Sequence, residues 1–180
     1  IDFNKIPLLL NGMFVYVVLD KNKRILKAVS DPQGEKTIYY YEDNKYFLIS
    51  STVKSILSFL KNSNINIEID RQVLKNYFST RHYMPIKKTC FKNIKILGNG
   101  EILNFNITNY NSNIFKYDNP LNWISEKEYL DYSKIKENEL IEKLDFKLNN
   151  QAKIMIPQKK FGTIFSGGID SSLQSAILLK

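Results

Sequence analysis

Cysteine is nearly absent: Cys90 stands alone among 180 residues. One thiol excludes an internal disulfide framework and a multi-cysteine zinc site, and it fits a reducing, cytoplasmic setting. Glycine and proline are also scarce, at 7 and 5, which excludes collagen-like and low-complexity linker material. No apolar run approaches the roughly 20 residues that cross a bilayer, so no membrane partner is expected. The chain starts at Ile1 rather than Met and shows no basic segment followed by an apolar one. It therefore reads as an internal piece of a longer protein. Arginine is rare, with Arg24, Arg71 and Arg81 the three among 26 basic residues. Proteins that read phosphates or bases through forked hydrogen bonds are usually rich in it. The basic residues are scattered, and Lys87–Lys88 and Lys159–Lys160 are pairs rather than runs. The net charge of +8 thus reads as a solvated lysine surface with no nucleic-acid partner, an anionic-substrate groove being the competing reading.

What is present is apolar side chain, 43% of residues, including 11 Tyr and 11 Phe. That is enough to build a core. Met13–Leu19 is a continuous β-branched and aromatic run, the pattern of a buried strand. A polar turn follows, and Arg24–Val29 reads as its hairpin partner. Asp31-Pro32-Gln33-Gly34 carries strong turn chemistry. Thr37–Tyr41 and Tyr46–Ser50 are two further strand candidates, joined by a polar turn, and the rings of Tyr39, Tyr40 and Tyr41 read as strand packing. The period then changes. Val53, Ile56, Leu57 and Leu60 share one helix face, and Asp70 is placed to cap a second helix carrying Val73, Leu74, Tyr77 and Phe78. Glu101–Ile107 alternates as a half-exposed strand after the turn Gly98-Asn99-Gly100.

Thr108–Trp123 is polar, Asn-rich and aperiodic, and reads as part of a linker. Ser125 and Glu128 form a capping-box pattern, and Leu140, Ile141, Leu144 and Leu148 continue a helical stripe. Phe161–Phe165 reads as a short buried strand. It runs into Ser166-Gly167-Gly168-Ile169-Asp170-Ser171-Ser172, after which Leu173, Ala176 and Ile177 open a helix. The first part is thus layered β with two helices, and the last part opens an α/β parallel-sheet domain.

The Gly-rich loop carries the chemistry. Two glycines let backbone amides turn toward an anion. The helix beginning near Asp170 adds unsatisfied N–H donors and a partial positive charge. Ser166, Ser171 and Ser172 add hydroxyls. Asp170 would repel a bare phosphate but suits one bridged by Mg²⁺. The pattern lacks the lysine of a Walker loop. An ordinary strand-to-helix turn with Asp170 as its cap is the competing reading, and the three serines weigh against it.

Ser166–Ser172 resembles the pyrophosphate-binding loop of the N-type ATP pyrophosphatases, whose asparagine-synthetase branch reads SGG-x-DSS. GMP synthetase, NAD synthetase and tRNA-thiolating enzymes carry related loops, so the upstream sequence chooses the branch. Asn11-Gly12-Met13-Phe14 resembles the NGMF of the asparagine-synthetase glutaminase domain. Asp31, Gly34, Lys36, Tyr39 and Tyr40 match that family's RDRxGxKPLYY, and Ser51, Val53 and Lys54 sit at its SEIK. Pro85, Thr89, Phe91, Leu97 and Gly100 match VPxxxTIFxxVxxLxPG. Ser30 and Pro32 stand where the two arginines of RDR would be, Thr37 replaces the next Pro, Thr52 the Glu of the SE pair, and Lys160 the Pro before the final strand.

The resemblance implies the C-terminal part of a layered α+β glutaminase domain of the Ntn-hydrolase type over residues 1–107. A linker over 108–125 and the start of an α/β PP-loop synthetase domain over 126–180 follow. It implies a ligase that adenylates aspartate or another carboxylate with ATP and Mg²⁺ and amidates it with ammonia from glutamine. β-Lactam synthetases and other amidotransferases on the same scaffold, and a non-catalytic homologue, are the alternatives, and a homodimer is open. Phe165, Ser166, Gly167, Gly168, Asp170, Ser171 and Ser172 are the implied nucleotide-binding residues, Asp170 being the metal ligand. The family's glutaminase nucleophile is an N-terminal cysteine that no residue of this chain supplies. Cys90 aligns with an apolar position and reads as core, His82 reads as structural or surface, and no catalytic residue is assigned within the chain.

Overall fold

A computed structural model describes residues 3–80 and 87–179. Pro85 and His82 lie outside the described residues. The chain divides into two compact units, Ile1–Trp123 and Ile124–Lys180.

The first unit is built on two antiparallel sheets. Strand β1 (Val15–Asp20) and β2 (Ile25–Ser30) form the expected hairpin, in register from Val15 opposite Ser30 to Asp20 opposite Ile25. Its turn is held by the Asp20 carboxylate, which accepts from the amides of Asn22 and Lys23. Strands β3 (Tyr39–Glu42) and β4 (Phe47–Ser50) form a second hairpin. There the Asp43 carboxylate accepts from the Lys45 and Tyr46 amides and from the Tyr41 hydroxyl. Both turns are side-chain-to-backbone closures of the kind Asp supplies best.

Three more strands complete the sheets: β5 (Ile94–Ile96), β6 (Glu101–Asn106) and β7 (Asn111–Lys116). The orders are β1-β2-β6-β7 and β4-β3-β5. Period-two alternation then sorts the side chains into layers. Ala28, Leu103 and Phe105 of the larger sheet pack against Ile38 and Tyr40, with Leu97 closing the cluster. Tyr41 points the other way, toward helix α1 (Val53–Asn62), and packs with Ile56, Leu60 and Ile94. The three consecutive tyrosines therefore serve two cores. The helix face read from Val53, Ile56, Leu57 and Leu60 is the one that packs, and Thr52 caps it by accepting from the Ser55 amide. Helix α2 (Arg71–Ser79) begins at Asp70, whose carboxylate accepts from the Gln72 and Val73 amides. Val73 is buried, while Phe78 is exposed.

Within 108–125, read from the sequence as a linker, the aperiodic reading is corrected at one stretch, while the boundary between the two units, Trp123 to Ile124, lies inside the range. Asn111–Lys116 is a strand, paired with β6 from Glu101 opposite Lys116 to Asn106 opposite Asn111. Its polar residues hid it, because an edge strand buries little: Ile114 reaches the core while Asn111 and Asn113 face solvent. Asn106 closes the connecting turn by accepting from the Thr108 and Asn109 amides.

The second unit has three helices, α3 (Glu126–Ser133), α4 (Glu137–Met155) and α5 (Ile169–Leu178). The Ser125–Glu128 capping box is present in full. The expected strand Phe161–Phe165 is not: the segment has no regular structure and is exposed, Ile164 to 94%. A strand needs a neighbouring ladder for its amides and carbonyls, and none pairs with it among the described residues. A parallel sheet is therefore absent from the described part of this unit.

Candidate functional site

The residues expected at the nucleotide site run from Phe165, at the end of the irregular segment, through the loop Ser166–Gly168 to Asp170, Ser171 and Ser172 in the first turns of α5. The shape of the loop follows from Gly167, whose φ of +81° lies in the left-handed region where side chains are strained. A Cβ placed there would meet nothing within 4 Å, so the surrounding space is open. Gly168, not Asp170, holds the cap position of α5. The competing reading of Asp170 as a simple cap therefore fails. Asp170 lies in the first turn of the helix, exposed to solvent, and among the described residues no side chain pairs with its carboxylate.

The amides of Ile169, Asp170 and Ser171 precede the first intrahelical bond of α5, which runs from the Ser172 amide to the Gly168 carbonyl at 3.0 Å. Among the described residues no acceptor takes these three N–H donors, and the positive end of the helix dipole lies behind them. The serines behave differently from expectation. The Ser171 and Ser172 hydroxyls both donate to the Gly168 carbonyl, at 3.1 and 2.8 Å, and the Ser166 and Ser171 hydroxyls are 2.9 Å apart. Instead of lining a cradle, they brace the loop. Phe165 is well exposed.

The donors present fit a phosphate group and a single-carboxylate Mg²⁺ contact. Magnesium commonly takes one or two protein carboxylates and completes its shell with water and substrate phosphate. Among the described residues no group of three His, Cys, Asp or Glu side chains is placed to hold a metal by itself, so Asp170 would act with the substrate rather than with a protein cage.

A second polar centre was only partly foreseen. Asp31 is 1% exposed, and its carboxylate accepts from the amides of Gln33, Glu35 and Lys36 at 3.0 to 3.1 Å. Burial opposes its ionisation, yet the backbone donors of Lys36, Glu35, Gly34 and Gln33 hold it below the usual carboxylate range. Around it, the Ser30 hydroxyl donates to the Gly98 carbonyl and the Tyr117 hydroxyl donates to the Ser30 carbonyl at 2.8 Å. Burial, then the charge of Asp118, push the Tyr117 phenol upward. Glu101 accepts from the Gly98 amide and pairs with Lys87. The Asp-Pro-x-Gly turn announced Asp31 in the sequence; nothing local announced Tyr117, whose partner Ser30 is distant in the chain, or the pairing of Glu101 with Lys87. Cys90 is half-buried, consistent with a packing role, and its carbonyl accepts from the Asp70 amide.

This two-sheet unit with its buried aspartate coincides with a family match: residues 4–117 fit the glutamine amidotransferase domain model. The chain belongs to the glutamine amidotransferase domain family, in its asparagine-synthetase type. A Methanocaldococcus jannaschii protein named "Putative asparagine synthetase (glutamine-hydrolyzing) 2" is 30% identical over 90% of this chain and 30% of its own length. Asparagine synthetase (glutamine-hydrolyzing) 3 of Bacillus subtilis is 26% identical over 93% of this chain and 25% of its own. The chain thus spans less than a third of these amidotransferase relatives. No helix among its described residues is long and apolar enough to cross a membrane.

Proposed function

We propose that this amidotransferase chain is part of a glutamine-dependent ligase that activates a carboxylate with ATP and amidates it with ammonia released from glutamine. Aspartate is the carboxylate the relatives' names favour. The observation that carries the reading is the unspent amide triplet at Ile169, Asp170 and Ser171, beside an exposed carboxylate and an open left-handed glycine.

In this reading the chain's own groups do four things. The amides of residues 169–171 donate to the phosphates of ATP. Gly167 supplies the backbone turn that leaves room for them. The Ser171 and Ser172 hydroxyls, donating to the Gly168 carbonyl, keep that acceptor occupied. Asp170 would hold Mg²⁺ at the mouth of the loop. When bound, Mg²⁺ neutralises charge that builds on the departing pyrophosphate. Glutamine hydrolysis is expected from a nucleophile outside these 180 residues, and the 180-residue chain alone is expected neither to hydrolyse glutamine nor to form an amide.

The test is carboxylate-dependent ATP–pyrophosphate exchange by the full-length protein. Asp170→Ala is expected to lower exchange about 100-fold, and unchanged exchange with Mg²⁺ present would remove the assignment. A second reading, the same chemistry on a different carboxylate, is favoured by Ser30 and Pro32, which replace two arginines of the family pattern. Ser30 is buried and its hydroxyl is committed to the Gly98 carbonyl, so no cation occupies that place. Exchange driven by another carboxylate and not by aspartate would select this reading.

A further inference from the structure

The lysines look scattered in the sequence, yet the first unit gathers four of them. Residues 87–95 carry Lys87, Lys88, Lys92 and Lys95 with no acidic residue among them. All four line one cavity of about 400 Å³, together with Thr89 and Asp70. Two of the four are matched. Lys87 pairs with Glu101, and Lys92 pairs with Glu68 at 2.7 Å. The carboxylate of Asp70 is already engaged by the Gln72 and Val73 amides. Among the described residues no carboxylate pairs with Lys88 or Lys95.

Backbone pairing makes this imbalance specific. Lys88 and Lys95 stand directly opposite each other in an antiparallel bridge. Like charges in that position repel, and the arrangement is relieved when an anion sits between them. The Lys95 ammonium also lies 5.8 Å from the centroid of the Tyr40 ring, which restrains its stem on one side of the cavity. Neutral recognition is ruled out for Thr89, since its hydroxyl donates within the loop, to the Phe91 and Ile94 carbonyls. What remains is ammonium point charge without a guanidinium fork, which suits a compact, multiply charged oxyanion better than a planar carboxylate.

We infer that the cavity lined by Lys88 and Lys95 binds a small polyvalent oxyanion of the phosphate class. This site lies in a different unit from the Ser166–Ser172 loop and stands whether or not that loop binds ATP. The experiment uses the full-length protein, an amine-reactive acylating reagent and mass spectrometry to read each lysine separately. Inorganic pyrophosphate is the probe, with sodium chloride at matched ionic strength as reference. At about ten times the dissociation constant only about a tenth of the sites stay empty, so acylation of Lys88 and Lys95 is expected to fall about ten-fold. Lys21 and Lys23, in the β1–β2 turn, are expected to react as before. Lys87 and Lys92 line the same cavity and are expected to be protected with Lys88 and Lys95, and in the exposed double variant Lys88→Gln/Lys95→Gln that protection is expected to be lost. Protection no greater than that given by sodium chloride would overturn the inference. So would equal protection of Lys21 and Lys23, persistence in the double variant, or protection by a structured RNA but not by pyrophosphate.

Discussion

The two units of this chain use similar side chains to opposite effect. Among the described residues, thirteen of the fourteen buried hydrophobics lie in Ile1–Trp123, and the second unit contributes Ile177 alone. Yet Leu140, Ile141, Leu144, Phe146 and Leu173 are as apolar as anything in the first unit, and all are exposed. The difference is geometric. A sheet face presents a flat row of side chains, and two sheets plus a helix give each row an opposing layer. The helices of the second unit present stripes that find no such layer among the described residues. Amphipathic pattern is therefore a request for a partner, and only the first unit supplies its own.

The sharpest test of that contrast is a matched pair of side-chain truncations, followed by urea unfolding of the chain read by Trp123 fluorescence for the first unit and by circular dichroism for the helices of both. Leu103→Ala, at a fully buried site between the sheets, is expected to cost about 3 kcal/mol. Leu144→Ala, 54% exposed on α4, is expected to change stability by less than about 0.5 kcal/mol. Equal effects would erase the distinction between the units.

A second pair compares two aspartates. Asp31→Ala strips the buried carboxylate from the three part-buried amides of Gln33, Glu35 and Lys36, and about 2 kcal/mol of stability is expected to go with it. Asp170→Ala is expected to leave the unfolding midpoint unmoved. A shift with Asp170→Ala as large as that with Asp31→Ala would mean that Asp170 is structural.

The smallest expected effect is an alkaline one. The Tyr41 hydroxyl donates to Asp43 at 2.6 Å. Burial first, then that bond and the Asp43 charge, push its phenol up to about 12. A raised value favours the protonated form in the folded state. The stabilisation is therefore whole below the ordinary tyrosine value of 10.0 and is lost as pH climbs from there toward about 12. Tyr41→Phe is expected to flatten that part of the stability–pH curve, and tyrosinate absorbance is expected to show one late-titrating group fewer. An unaltered curve would place the alkaline loss elsewhere.

How much was legible in advance follows the range of the forces involved. Asp70 and Ser125 cap the helices they were expected to cap, because a cap is settled within three residues. The β1–β2 and β3–β4 hairpins were legible for the same reason: polar turns join apolar runs, and the turn carboxylates sit beside the amides they bind. Strand β5 is three residues long and exists because the distant β3 pairs with it; β7 is half asparagine and serine by sequence, and it pairs with the neighbouring β6 without an apolar run to announce it. Phe161–Phe165 shows the converse, an apolar, strand-like string with no ladder beside it. At the loop, the helix that follows the two glycines was readable, but not that the Ser171 and Ser172 hydroxyls turn to the Gly168 carbonyl, which no spacing encodes.

Gly167 carries one more consequence. A side chain there would strike no atom, so bulk does not explain the glycine; handedness does. The backbone at φ +81° is a mirror-image conformation for an L residue, disfavoured by roughly 1–2 kcal/mol. A chemically synthesised chain with D-alanine at this position would keep the bend, whereas its L counterpart would have to unwind it. The shape of the loop is stored in chirality.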